Sequence, residues 1–332
     1  MPTDSSTTRP CVVATRQFPG SALENLAKQV DLTIWEGTGT PGPDELRRLA
    51  APAEGLLCLL TDTIDAALLV ACPKLRVISS VSVGLDHVDL AAATAAGIPV
   101  GNTPGVLTEA TADLAFGLLL AAARRIPEAD RFVRQGLWTQ SRRWEPDLML
   151  GRELAGATLG LVGLGAIGQA VARRASGFGM ERVGWTRSGR AVPGVAPLAL
   201  GALLEQADFV SIHVALAPET RGLIGPRALA RMKPGAILVN TSRGGIVDES
   251  ALAEALGSGQ LAAAALDVFE KEPISGHSPL LAAPNLVVAP HIGSATKTTR
   301  ERMIALAIRN LQAGLAGAPL PHCANPQVYD AS

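Results

Sequence analysis

Three polar side chains late in the chain have the types that carbonyl chemistry needs: Arg243 in NTSRGGIVDE, Glu272 in LDVFEKEP and His291 in APHIGSAT. A guanidinium in a Gly-rich turn grips a carboxylate or carbonyl oxygen with its planar fork. An imidazole donates a proton to a ketone that is being reduced, or takes one from an alcohol in reverse. A carboxylate bonded to that imidazole fixes its orientation and favours its charged form. Taken singly, each residue also fits an ordinary place: a structural histidine, a solvated arginine, a Glu-Pro loop start.

All three follow strand-like runs, and strand carboxyl ends are where open α/β sheets hold ligands. Short apolar runs are read as strands at Cys11–Thr15, Leu32–Glu36, Gly55–Leu60, Arg76–Val81 and Ile98–Asn102. Between most of them, apolar residues recur at three- and four-residue spacing, as in Ala22–Gln29, Pro43–Ala50 and Asp65–Ala71. A long helical passage, Leu107–Ile126, and a Trp/Arg/Pro-rich stretch, Gly136–Gly151, precede a second series. Its strands are expected at Thr158–Gly163, Arg182–Trp185, Asp208–His213, Ala236–Asn240, Ala263–Val268 and Leu286–Ala289, with a last helix near Ala295–Ala316. Such alternation predicts α/β units with parallel sheets. The Pro-rich segments Pro41-Gly42-Pro43, Pro193–Pro197 and Pro319–Pro321 read as loops.

Two segments carry the Gly-x-Gly-x-x-Gly spacing. Gly37-Thr38-Gly39-Thr40-Pro41-Gly42 follows a strand, but Pro41 lacks an N–H where phosphate oxygens need donors and disfavours helix at Thr40. It is read as a loop. Gly163-Leu164-Gly165-Ala166-Ile167-Gly168 runs from the strand TLGLV into the amphipathic pattern Ile167–Phe178. There the glycines allow a tight turn, approach of a pyrophosphate and close helix–strand packing, beside a helix N-terminus suited to an anion.

The next strand decides which dinucleotide fits. An acid at its end would bind a ribose 2′-OH and repel a 2′-phosphate, but the segment reads RVGWTRS. Thr186 and Ser188 offer hydroxyls and Arg187, helped by Arg190, offers a partner for a phosphate dianion. NADP(H) is therefore expected to be preferred, with NAD(H) as the lesser cofactor.

Composition narrows the classes. With 332 residues, two domains are the prior, and 48% apolar against 18% charged residues suits packed cores. Lys+Arg 29 against Asp+Glu 30, net charge −1, argues against binding nucleic acid or an anionic membrane through bulk charge. The longest apolar run, Leu114–Ala123, ends at Arg124-Arg125 and is too short to span a bilayer. The start MPTDSSTTRP is polar and reads as a frayed leader, so a cytoplasmic protein is expected. Cys11, Cys58, Cys72 and Cys323 lack metal or CxxC spacing and read as free thiols. His87 near Asp86 and Asp89 does not make a metal site, and neither GxSxG nor HExxH occurs. No metal is expected.

The segments VGLGAIGQAVARR, NTSRGGIVDE, LDVFEKEP and APHIGSAT, in that order, resemble the D-isomer-specific 2-hydroxyacid dehydrogenases across nearly the whole chain. The resemblance implies that Arg243, Glu272 and His291 are the catalytic set. It also implies that Asp267 faces the nicotinamide carboxamide, and that the Val83-Gly84 backbone binds the substrate carboxylate near Leu59 and Ser294. Thr111, His213–Leu216 (with Val214 and Ala215), Thr241-Ser242, Arg243, His291 and Gly293 would line the cofactor cleft. The family's chain path implies two Rossmann-like parallel-sheet domains: a discontinuous flavodoxin-like substrate domain, residues 1–105 and 291–332, and an inserted dinucleotide-binding domain, 106–290. Around the Leu107–Ile126 helix it implies a homodimer contact.

GLLCLLTDTID, VSVGLDHVDL and HIGSATKTTR further resemble the glyoxylate/hydroxypyruvate reductases of the animal type. In those, a partner subunit's Trp helps to close the substrate pocket, and Trp144 in RRWEPDLM resembles it, although the surrounding loop differs in length and charge. The implied reaction reduces a small 2-oxo acid. A family reaction on 2-keto-gluconate, another 2-hydroxy acid or phosphite, and a dinucleotide-sensing corepressor, stand as alternatives. The intact Arg–Glu–His set argues against the corepressor.

Overall fold

The computed structural model describes residues 9–330, so all but Arg9 and Pro10 of the polar start MPTDSSTTRP lie outside the described residues. The chain divides into two compact units, one built from residues up to Leu107 together with Thr296 onward, the other from Thr108–Ala295. The breaks fall after 107 instead of 105 and after 295 instead of 290. His291 therefore lies in the same unit as Arg243 and Glu272.

In the discontinuous unit, strands β1 (Cys11–Ala14), β2 (Asp31–Ile34), β3 (Gly55–Cys58), β4 (Val77–Ser80) and β5 (Val100–Gly101) form a parallel sheet in the order β2-β1-β3-β4-β5. This is the flavodoxin-like order. Alternation along the strands feeds two cores. Val13, Leu56 and Ile78 face helices α2 (Pro43–Ala50), α3 (Ala66–Ala71) and α4 (Leu90–Ala95). Val12, Leu57 and Val77 face α1 (Ala22–Ala27) and the C-terminal helix Lys297–Leu315. That last helix lays Met303, Ala307 and Leu311 against the sheet, and Ser79 Oγ donates to its Ala307 carbonyl at 2.8 Å.

The inserted unit opens with α5 (Thr108–Ala123), buried along Thr111, Ala115, Leu118, Leu119 and Ala122. The helical passage expected over Leu107–Ile126 is α5, and a second helix, α6 (Ile126–Arg134), starts after Arg125, whose φ is +53°. Pro127 is the cause. Its ring would collide with the carbonyl of Ala123, four residues earlier, so α5 stops there. The freed Ala123 carbonyl instead accepts Arg152 N at 2.8 Å.

Strands β6 (Thr158–Val162), β7 (Glu181–Trp185), β8 (Ala196–Pro197), β9 (Phe209–Ile212), β10 (Ala236–Asn240), β11 (Leu261–Leu266) and β12 (Leu286–Val288) follow, all parallel. Their order, β12-β11-β10-β9-β6-β7-β8, reverses direction at β6. Ala196–Pro197, expected as loop, pairs with β7 as a two-residue edge strand, the position where a proline costs no ladder bond. In β10, Ile237 and Val239 enter one core, and Ala236 and Leu238 the other. Helix α7 (Ala166–Gly177) packs on the first face beside α5, whereas α8 (Leu200–Gln206), α9 (Pro226–Arg231) and α10 (Glu249–Gly257) cover the second. Among the described residues, no helix is long and apolar enough to cross a membrane, and all four cysteines are free.

Candidate active site

Arg243, Glu272 and His291 leave the carboxyl ends of β10, β11 and β12, three neighbouring strands. His291 Nδ1 and Glu272 Oε2 are 2.6 Å apart, and the other Glu272 oxygen accepts Phe269 N at 3.0 Å. Both side chains stay about a quarter to a third exposed, at 26% and 31%. Burial pushes the Glu272 carboxyl up, but its bonds from His291 and Phe269 and the charges of His291 and Arg243 outweigh that. The net position is below the ordinary carboxylate range. The pair leaves Nε2 of His291 as the ring's other nitrogen, able to exchange a proton.

Asn240, which the sequence reading passed over, shapes the Arg243 turn. Fully buried at the end of β10, it donates from Nδ2 to the Arg243 carbonyl at 2.9 Å and accepts Ser242 N at 3.0 Å. Its signal was present: Asn two residues before a serine and followed by Gly-Gly is a side-chain-to-backbone turn. Gly244 then brings this turn onto the Glu272 segment. A Cβ there would lie 1.8 Å from the Phe269 carbonyl carbon, so only glycine permits the approach.

Asp267 holds the turn that carries His291. It is buried, and its oxygens accept Ile292 N at 2.7 Å and Gly293 N at 2.8 Å, while its carbonyl accepts His291 N at 2.8 Å. These three bonds hold His291 at φ +54°, a left-handed conformation uncommon outside glycine. Burial pushes the Asp267 carboxyl up, only partly offset by the two amides and the His291 charge. Thr111, buried in α5, donates to the Gly293 carbonyl at 3.1 Å, tying down the same turn, and Ser294 beyond it is half-buried.

At the reversal point of the sheet, Gly163 has φ +103°, and a Cβ on Gly168 would meet the Gly163 carbonyl oxygen at 2.1 Å. Gly165 caps α7 with open space around it and no side-chain cap, so the first amides of a 12-residue helix lack a side-chain acceptor from that residue. Gly165 and Ala166 are exposed and Ile167 half-buried. Nearby strand ends bring Val214, whose carbonyl accepts Ser242 Oγ, and Ala215, whose carbonyl accepts Thr220 Oγ1. Thr241 is buried and its Oγ1 has no protein partner. Thr186 is half-buried after β7, and Arg187 and Ser188 are exposed. An open anion-ready helix start, glycines too tight for any Cβ and an orphaned hydroxyl fit a dinucleotide. No three His, Cys, Asp or Glu side chains cluster as a metal site among the described residues.

In the discontinuous unit, Leu59, Val83 and Gly84 also sit beyond strand carboxyl ends, after β3 and β4. Asn102 Nδ2 donates to the Val83 carbonyl at 2.9 Å and Ser82 Oγ to the Gly84 carbonyl at 2.7 Å. A trans peptide points its N–H opposite its carbonyl, so tying the Val83 carbonyl inward turns the Gly84 amide away from Asn102. Leu59 N donates to the buried Asp62, which also takes the Thr15 hydroxyl at 2.5 Å. Trp144 is 78% exposed.

Residues 116–293 match the model of the D-isomer specific 2-hydroxyacid dehydrogenase NAD-binding domain. The chain belongs to the D-isomer specific 2-hydroxyacid dehydrogenase family. A glyoxylate reductase of Korarchaeum cryptofilum (strain OPF8) is 47% identical over 324 residues, covering 96% of this chain and 97% of the relative. A crystallised protein from Thermus thermophilus has 48% identity and a TM-score of 0.89, over 95% of this chain and 99% of its own. An NADPH-dependent glyoxylate/hydroxypyruvate reductase from Sinorhizobium meliloti, in complex with NADP and malonate, has 33% identity and a TM-score of 0.84, over 96% and 98%. The dehydrogenase is accordingly an oxidoreductase acting on a CH–OH group with a nicotinamide dinucleotide. Its inserted unit is the one that the NAD-binding family match covers.

Proposed function

We propose that this dehydrogenase reduces small 2-oxo acids, glyoxylate and hydroxypyruvate, to glycolate and D-glycerate with NADPH. The observation that carries the reading is the 2.6 Å His291–Glu272 pair, pressed through Gly244 against the turn that presents Arg243. That set matches an acid needed at a carbonyl oxygen and a cation needed at a neighbouring carboxylate. The curated glyoxylate reductases and the Sinorhizobium meliloti reductase support the substrate class.

The cofactor, when bound, supplies the hydride that goes to the carbonyl carbon. Gly163, Gly165, Ala166, Ile167 and Gly168 would hold its pyrophosphate, and Thr186, Arg187 and Ser188 its ribose phosphate. Val214, Ala215, Thr241, Ser242, Gly293, Thr111 and Asp267 would line the remainder of its site. His291 delivers a proton from Nε2 to the carbonyl oxygen, while Glu272 holds the ring by Nδ1 and stabilises the charged imidazole. Arg243 polarises the carbonyl and grips the carboxylate. The amides of Val83 and Gly84 are assigned to a substrate carboxylate, with Leu59 beside them.

The working form in this reading is a cytoplasmic homodimer. Its support is the apolar surface of α6 and the following stretch, where Ile126, Val133, Leu137, Trp138, Trp144 and Leu150 are all exposed. Exposed apolar side chains concentrated in one stretch of the chain suit an interface, and Trp144 would reach the partner's substrate pocket. Sedimentation velocity that returned a monomer at micromolar concentration would remove the dimer.

Initial rates over glyoxylate, hydroxypyruvate and 2-keto-gluconate, each with NADPH and NADH, test the whole reading. Turnover of the first two with higher kcat/KM for NADPH is expected. Equal or better kcat/KM with NADH overturns the cofactor preference, and no turnover of either small acid overturns the substrate class.

A further inference from the structure

Arg187, the cation expected to meet a 2′-phosphate, already has an acidic partner. Its Nη1 lies 3.4 Å from Glu219 Oε2, with both side chains largely exposed. The two residues come from loops after β7 and β9, and β6 lies between those strands in the sheet. An ion pair joining the two loops therefore passes over the carboxyl end of β6, where the Gly163–Gly168 turn begins. That turn is tied to both neighbours: Gly163 N donates to the Trp185 carbonyl at 2.9 Å, and His213 N donates to the Val162 carbonyl at 2.7 Å.

Glu219 is presented by an anchored turn. The adjacent Thr220 is buried; its Oγ1 donates to the Ala215 carbonyl at 2.7 Å and accepts Ala217 N at 2.8 Å. On the other side, Gly189 N closes a turn onto the Thr186 carbonyl at 3.1 Å. Two shaped loops thus bring a carboxylate and a guanidinium together at the mouth of the adenosine end of the site.

We infer that Glu219 is a specificity-determining residue: a 2′-phosphate and the Glu219 carboxylate compete for Arg187, so this acid limits how strongly the phosphorylated dinucleotide is favoured. The inference rests on the NADPH reading above. A dianionic phosphate with three acceptor oxygens is a better partner for a guanidinium fork than one carboxylate oxygen at 3.4 Å. A dinucleotide without that phosphate has nothing to exchange, so Glu219 leaves its affinity nearly unchanged. An exposed pair of this kind is worth little, which sets the expected effect at roughly two- to fivefold.

Calorimetric titration of the full-length protein with 2′,5′-ADP and with 5′-AMP reads the exchange without turnover. Expected is a Glu219→Gln protein that binds 2′,5′-ADP roughly two- to fivefold tighter and 5′-AMP unchanged, the gain shrinking as salt is raised. Arg187→Gln should weaken 2′,5′-ADP by about tenfold or more, and adding Glu219→Gln to it should then change nothing. Unchanged 2′,5′-ADP affinity in Glu219→Gln, with Arg187→Gln still weakening it, overturns this inference and leaves the NADPH reading standing. A full gain that persists in the double variant overturns it as well, because Glu219 would then repel the phosphate without Arg187. Wild-type protein that binds 2′,5′-ADP no tighter than 5′-AMP removes the NADPH reading, and this inference with it.

Discussion

Gly37–Gly42 leaves β2, the edge strand of the five-stranded sheet, whereas Gly163–Gly168 leaves β6, the strand at which the seven-stranded sheet reverses its order. At the edge, Gly37 makes room for an aromatic ring: a Cβ there would sit 2.2 Å from Trp35. Arg16 lies over that ring, 4.8 Å from its centroid, and donates to Thr40 Oγ1 at 2.9 Å. At the reversal point, Gly168 makes room for the Gly163 backbone, and Gly165 opens the start of α7 to solvent. Identical spacing thus serves side-chain packing in one place and an open backbone helix start in the other. The surrounding strand order decides which.

The largest effect that would break this contrast belongs to the carboxyl edge of the inserted sheet. His291→Ala should lower kcat by roughly 10²–10⁴-fold, a loss far larger than any in dinucleotide affinity, measured by steady-state rates and cofactor fluorescence titration. Near-wild-type kcat would show that this edge is as inert as the Gly37–Gly42 turn.

Next comes the carboxylate behind the imidazole. Glu272→Gln should lower kcat by on the order of 10²-fold, since a carboxylate orienting a catalytic imidazole governs both its position and its charge. The pH dependence follows from the lowered Glu272 position. A carboxylate held lower in the folded protein contributes stability that is present above its unfolded value, near pH 4.3, and lost as pH falls through the folded value. Activity and the Glu272 contribution to stability should therefore survive to the acid side of the ordinary carboxylate range, and paired rate and unfolding profiles of wild type and variant check it.

Smaller is the effect of Gly168→Ala, whose Cβ would meet backbone, the Gly163 oxygen at 2.1 Å. Backbone gives way poorly, so a loss of about 1–3 kcal/mol of stability and roughly tenfold weaker dinucleotide binding are expected. Denaturant unfolding and titration separate the two.

Smallest in function is Gly37→Ala. Displacing the Trp35 ring should cost about 1–3 kcal/mol of stability with cofactor affinity and kcat/KM unchanged. Weakened cofactor binding in this variant would abolish the distinction between the turns.

Much of this was legible in the chain. Parallel α/β units, the choice between the two glycine turns, and strand ends before Arg243, Glu272 and His291 follow from periodicity, from Pro41, and from short motifs. The break between α5 and α6 was legible too, in Pro127, but an apolar run through Ala123 masked it. The β8 edge strand was not, because two residues take strand form only when β7 offers them a ladder. Nor was the support beneath the site. Asp62 and Asn102 are ordinary residues in sequence, and their partners Thr15 and Val83 lie 47 and 19 positions away.

The sequence by itself determined local matters: which segments are helix or strand, where glycine is required to turn, and the absence of an acid after β7. These depend on sterics and hydrogen bonds within a few residues, and residue types report them directly. Only the tertiary structure decided that Glu272 meets His291 across 19 positions, that Asp267 holds His291 at positive φ, and that Glu219 faces Arg187 across 32. Those contacts arise from strand order. A sheet brings together the carboxyl ends of strands far apart in the chain, and no local pattern encodes which loops will then touch.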